Sequence, residues 1–130
     1  MQQQLLDRLA AIVGPTHVLT GDGLESYEQD WRKRARGRAL AVVRPGSTQE
    51  VADVVKACSD ARVSIVPQGG NTGLVVGSVP DESGTQVILS LRRLTAVRAV
   101  DPHNMTVTVE AGCVLQNPVS YTHLTLPTTP

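Results

Sequence analysis

Phenylalanine is missing from the 130 residues, and Trp31 is the single tryptophan. The chain therefore lacks large aromatic anchors for a core, and it lacks the stacking faces that would extend a nucleic-acid site. It also lacks an excess of either charge: twelve basic and twelve acidic residues cancel. That balance argues against a general binder of nucleic acid or of a membrane surface. No apolar run approaches the roughly 20 residues of a membrane span. The start, Met1-Gln2-Gln3-Gln4, has no charged-then-apolar signal pattern. Cys58 and Cys113 stand far apart without paired spacing, so a reduced, cytoplasmic chain is the expectation. His17, His103 and His123 are isolated, so no metal site is expected. No internal repeat is visible, and the length suits one domain or a piece of a larger one.

What the chain does have is valine, nineteen in all. A core of Val, Ile and Leu suits strands buried in a layered α/β or α+β fold. Leu5, Leu6, Leu9, Ala10 and Val13 fall at helical spacing, and Gly14-Pro15 stops the run. A short second helix is expected over residues 24–29. Trp31 is then followed by five cations in seven residues, Arg32, Lys33, Arg34, Arg36 and Arg38. That segment is either a solvated loop or an anion-facing edge.

Ala39-Leu40-Ala41-Val42-Val43 reads as a buried strand, and Pro45-Gly46 turns the chain. Ser47-Thr48-Gln49-Glu50 fits a capping box, with Ser47 as N-cap and Glu50 reaching back to it. Val51, Val54, Val55 and Cys58 mark one face of the helix that follows. Val63-Ser64-Ile65-Val66 reads as the next strand, which completes a βαβ unit with parallel strands. Further on, Gln86-Val87-Ile88-Leu89-Ser90-Leu91 reads as a strand, and residues 96–100 and 105–110 as a hairpin. In its second arm Met105, Val107 and Val109 alternate with Thr106, Thr108 and Glu110, giving one apolar and one polar face. Ala111-Gly112-Cys113-Val114-Leu115 would open another helix. Parallel strands followed by an antiparallel pair make the expected fold class α+β.

The stretch with the most chemistry is Pro67-Gln68-Gly69-Gly70-Asn71-Thr72-Gly73-Leu74-Val75-Val76-Gly77-Ser78. It begins where a predicted strand ends, the edge at which open α/β sheets usually bind ligands. Glycines there allow positive φ and close approach of a ligand to the main chain. Successive N–H groups can converge on an anion. The stretch lacks Gly-x-Gly-x-x-Gly, so a Rossmann site is unsupported. It also lacks Gly-x-x-x-x-Gly-Lys-Ser/Thr, and the only lysines, Lys33 and Lys56, lie elsewhere. A neutral, backbone-led diphosphate cradle and a tight connection without a ligand both remain. Asp81-Glu82 reads as a solvated corner, and Cys113 as a small packed residue rather than a nucleophile.

Pro67-Gln68-Gly69-Gly70-Asn71-Thr72-Gly73 resembles the FAD-pyrophosphate loop of the vanillyl-alcohol-oxidase/p-cresol-methylhydroxylase (PCMH-type) flavoproteins. The resemblance extends through Asp30-Trp31, Val43-Arg44-Pro45, Glu50-Val51, Ser78-Val79-Pro80 and Val109-Glu110-Ala111-Gly112-Cys113-Val114-Leu115. Within that family the set most resembles the D-2-hydroxyglutarate dehydrogenase branch, close to D-lactate dehydrogenase and the flavin subunit of glycolate oxidase. The resemblance implies residues 1–117 as the N-terminal part of a two-lobed FAD-binding domain, a parallel βαβ lobe and the start of an antiparallel one. It implies that Gly69, Gly70, Asn71, Thr72 and Gly73 bind the FAD diphosphate, with Gln68, Gly77 and Ser78 at the rim. Pro67 would fix the approach to the loop, and Glu110, Ala111 and Gly112 would come near the cofactor from the second lobe. Members with covalent flavin carry a histidine where Asn71 stands, so non-covalent FAD is expected. Members also carry two adjacent glycines where this chain has Val76-Gly77, which puts the fit of Val76 in question.

For the parent protein the resemblance implies oxidation of a D-2-hydroxy acid by hydride transfer to FAD, with a protein or quinone as electron acceptor. The catalytic base and substrate ligands would lie in later sequence, so the segment alone is expected to be inactive. The alternative is a non-catalytic nucleotide-binding or interaction module. Residues 118–130, with three prolines, four threonines and no charge, resemble the conceptual translation of a transposase-type sequencing adapter. They read as a non-native tail, the alternative being a genuine flexible Pro/Thr linker.

Overall fold

The computed structural model describes residues 2–21, 23–29, 36–71 and 77–113. Helix α1 (Gln2–Val13) buries Leu5, Leu9 and Val13, one residue per turn along a single stripe. Gly14 ends it at φ 93°, and Pro15 opens a short 3-10 turn to His17. Strand β1 (Val18–Leu19) and the one-turn helix α2 (Glu25–Glu28) follow, then β2 (Ala39–Val43) and α3 (Thr48–Asp60).

The start of α3 refines the expected capping box. The Ser47 hydroxyl accepts the Glu50 N–H at 3.1 Å. Glu50 in turn accepts the N–H of Gly46 at 3.0 Å, one residue before the cap rather than the cap itself. The first bond satisfies an N–H that the first helical turn leaves without a partner, and the second ties the residue before the cap to that turn. The buried face of α3 is Val54, Ala57 and Cys58. Val55, expected on that face, is 44% exposed, because it sits one residue further round the helix.

Strand β3 spans Ile65–Gln68 and β4 spans Gln86–Ser90. The main sheet runs β1-β2-β4-β3, with β2, β4 and β3 parallel and β1 antiparallel to β2. The expected parallel strands are present, and β4 is inserted between them. Val43, Val87 and Leu89 face a core with Leu5, Leu9, Val13, Val54, Ala57 and Cys58 of the helices. Their neighbours Val42 and Ile88 face the other way, against Leu24 and Tyr27. Both faces are covered, which is why these strands read as unbroken apolar runs rather than alternating ones. Strand β3 begins and ends two residues later than the sequence predicts. Pro67 therefore lies inside a strand, tolerated because β3 is at the sheet edge, where the missing N–H costs no ladder bond.

A separate antiparallel pair, β5 (Val97–Asp101) and β6 (Thr106–Val109), follows. Its apolar face is open: Met105, Val107 and Val109 are 84%, 37% and 36% exposed. Two strands cannot bury a face by themselves, and none of the described residues covers this one. Ala111 and Gly112 form a turn, closed by the Cys113 N–H on the Glu110 carbonyl. The helix expected after it, and the tail from Pro118, lie outside the described residues. The architecture is α+β. No described helix is long and apolar enough to cross a membrane.

Candidate functional site

The parallel strands β3 and β4 end side by side, with Gln68 opposite Ser90. The Leu91 N–H extends the ladder to the Gln68 carbonyl at 2.9 Å. From this edge the chain enters the glycine-rich stretch at Gly69 and leaves it at Ser78. Three side chains tie the two ends together. Gln68, 1% exposed, donates its amide to the carbonyls of Tyr27 at 2.7 Å and Ser78 at 2.9 Å. Asn71 donates to the carbonyls of Ser26 at 3.2 Å and Gln29 at 2.6 Å. The Ser78 hydroxyl donates to the Asn71 carbonyl oxygen at 2.7 Å. The loop is thus pinned at its neck and held against α2.

Gly69 and Gly77 do not do what the sequence suggests, since neither has a positive φ. Among the described residues of the stretch, Asn71 takes a left-handed position, at φ 56°, and is a residue type that tolerates it. Nor are Gly69 and Gly77 held small by internal packing. Among the described residues, a Cβ at Gly69 would meet nothing nearer than the Ala111 carbonyl oxygen at 3.8 Å, and one at Gly77 would meet nothing within 4 Å. Bare main chain facing open space is the geometry that a closely approaching ligand requires. The described residues therefore fit a diphosphate cradle. Thr72, Gly73 and Val76 lie outside them.

The Ala111 carbonyl oxygen lies beside Gly69, 3.8 Å from where a Cβ would stand. Glu110 is occupied with its own hairpin, accepting the Ala96 N–H at 2.9 Å and Arg98 at 3.0 Å. Those two bonds, the Ala96 N–H first, hold its carboxyl below the ordinary 4.5 against the opposing effect of burial. Gly112 is a packing glycine. Its N–H bonds to the Leu94 carbonyl at 2.9 Å, and a Cβ there would overlap the Leu91 carbonyl.

Sequence reasoning missed the part played by α2. A one-turn helix leaves its carbonyls without acceptor roles inside the helix. Those of Ser26, Tyr27 and Gln29 are taken by Gln68 and Asn71, and that of Glu28 by the Gly37 N–H at 2.9 Å. The buried Glu28 carboxylate accepts the Ala39 N–H at 2.8 Å and pairs with Arg36 at 3.4 Å. Arg36 also reaches Glu25 at 3.5 Å, so this end of the basic segment is neutralised locally. Arg32, Lys33 and Arg34 lie outside the described residues. The Arg92 guanidinium stacks 4.9 Å from the Tyr27 ring centre. Carbonyl acceptors leave no mark in a sequence, so no motif could have identified them. Among the described residues no group of His, Cys, Asp and Glu could hold a metal ion.

Residues 39–129 match the FAD binding domain family. The D-2-hydroxyglutarate–pyruvate transhydrogenase of Saccharomyces cerevisiae is 41% identical over 102 residues, covering 77% of this chain and 20% of the relative. The mitochondrial D-2-hydroxyglutarate dehydrogenase of Danio rerio is 37% identical over 117 residues, covering 88% of this chain and 21% of the relative. Among solved structures, substrate-bound p-cresol methylhydroxylase superposes with a TM-score of 0.77 at 23% identity, over 95% of this chain and 24% of that one. The chain thus spans about a fifth of the length of these curated relatives. The relatives also correct one expectation. Several carry a mitochondrial designation, which overturns the cytoplasmic assignment. Cysteine spacing in the sequence speaks to redox environment and not to an address.

Proposed function

This chain belongs to the FAD binding domain family and its cofactor is FAD; from that premise we propose that its glycine-rich loop cradles the FAD diphosphate. The donors are the main-chain N–H groups of Gly69, Gly70, Asn71, Thr72 and Gly73, with Gly77 and Ser78 closing the rim and residues 110–112 forming the facing wall. Gln68 and Pro67 set the angle at which the chain leaves β3. The observation that carries this reading is the open ground that the described residues leave beside Gly69 and Gly77, with the Ala111 carbonyl next to Gly69. No charged side chain lies between Pro67 and Ser78, so the loop would hold the anion by aligned dipoles rather than by ion pairs.

The whole protein then oxidises a D-2-hydroxy acid, of the 2-hydroxyglutarate or lactate type, to the 2-oxo acid and passes electrons to a protein or quinone acceptor. Bound FAD supplies the hydride acceptor for that reaction. This segment's share is binding and orientation, and the substrate ligands and catalytic base lie in other parts of the protein. The names of the yeast and zebrafish relatives support the substrate class. The bound flavin is non-covalent, because the Asn71 amide offers no nucleophile for a flavin bond. Acid precipitation of the full-length holoprotein tests the cofactor and its attachment together. The expected result is free FAD in the supernatant above a colourless pellet; a yellow pellet, or no flavin in either fraction, would contradict the proposal.

A further inference from the structure

The two side chains of the glycine-rich stretch with most hydrogen-bonding capacity nearest its start, Gln68 and Asn71, do not face the open ground beside Gly69. Their amide N–H groups point at three carbonyls of α2 and the residue after it. Both donors of the Asn71 amide are committed, to the carbonyls of Ser26 and Gln29, and its oxygen accepts from Ser78. The orientation follows from chemistry, since carbonyls accept and only the NH2 end can serve two of them. Helix α2 in turn is too short to stabilise itself. Leu24 caps it without a side-chain bond, and the Tyr27 and Glu28 N–H groups bond to the Leu24 carbonyl at 2.9 and 3.0 Å. Helix and loop each supply what the other lacks.

We propose that Asn71, backed by Gln68 and Ser78, is a positioning residue: it fixes the cradle by capping the carbonyls of α2, and it does not bind the diphosphate with its side chain. The inference deepens the FAD reading and rests on it for its functional consequence. It places part of the affinity for flavin in a helix more than 40 residues upstream of the loop, at sequence separations of 41, 42 and 45.

The test uses the full-length protein stripped of flavin, with Asn71→Gly as the principal variant. Glycine keeps the left-handed backbone without strain, so the substitution removes the side chain alone. Two quantities are read: the FAD dissociation constant, and hydrogen exchange at the Tyr27 and Glu28 amides in the absence of flavin. The expected outcome is about tenfold weaker FAD binding, the scale of losing one or two net hydrogen bonds, with faster exchange at both amides before any flavin is added. Weaker binding with unchanged exchange would make Asn71 a direct ligand and overturn the proposal. Faster exchange with unchanged FAD affinity would make it merely structural, and no change in either would remove it altogether. Ser78→Ala, which removes only the bond to the Asn71 oxygen, is expected to move both quantities the same way by less, and it carries the test if the glycine variant does not fold. Failure of wild-type protein to bind FAD would sink the cofactor reading instead, while the exchange measurement still decides the latch.

Discussion

Gly69 and Gly112, both expected from the sequence to lie near the cofactor, are glycines in opposite surroundings. Gly112 lies so close to the Leu91 carbonyl that any side chain would displace main chain, whereas Gly69 has room for a methyl group. Gly112→Ala is therefore expected to cost about 3 kcal/mol by overpacking, and Gly69→Ala to stay within about 0.5 kcal/mol of wild type, both read from urea unfolding. Glu110 gives a pH signature at the same scale. Its folded pKa is depressed below the ordinary 4.5, so its contribution is complete above the unfolded value and is lost as pH falls through the folded one. Glu110→Gln is expected to flatten the acid limb of the stability profile in that window; an unchanged acid limb would remove Glu110 from the account. The sequence marks all these residues as one family pattern. It does not distinguish the glycine that packs from the glycine that leaves space, because that depends on what the fold brings opposite each.

Elements differ in how much of themselves they specify. Helix α3 carries its own start signal, and Ser47→Ala is expected to cost about 1 kcal/mol, measured by urea or thermal unfolding. Helix α1 likewise follows from its apolar spacing and the Gly14-Pro15 stop. By contrast, α2 is set from outside by Gln68 and Asn71, so local sequence could only suggest it. The β5–β6 hairpin was legible as two arms and a turn. The fate of its apolar face was not, since alternation fixes which residues share a face and says nothing of what covers it.

At the scale of the molecule, periodicity revealed the strands and the class of fold but not the order β1-β2-β4-β3, because spacing identifies an element without naming its neighbour. The start of the loop at the carboxyl end of β3 was legible, and so was its kinship with flavoproteins. The motif pointed to the candidate site before its geometry was known; the geometry adds the side-chain bonds of Asn71 and Glu110 and the tight packing of Gly112, which no spacing encodes. The central claim is that bare main chain beside Gly69 receives the FAD diphosphate. It is tested most directly by titrating flavin-free full-length protein, wild type and Gly69→Ala, with FAD and with riboflavin, which lacks the diphosphate. The expected result is a loss of about tenfold, ~1.4 kcal/mol, in FAD affinity, with riboflavin affinity unchanged. FAD binding by the variant as tight as by wild type would contradict the claim.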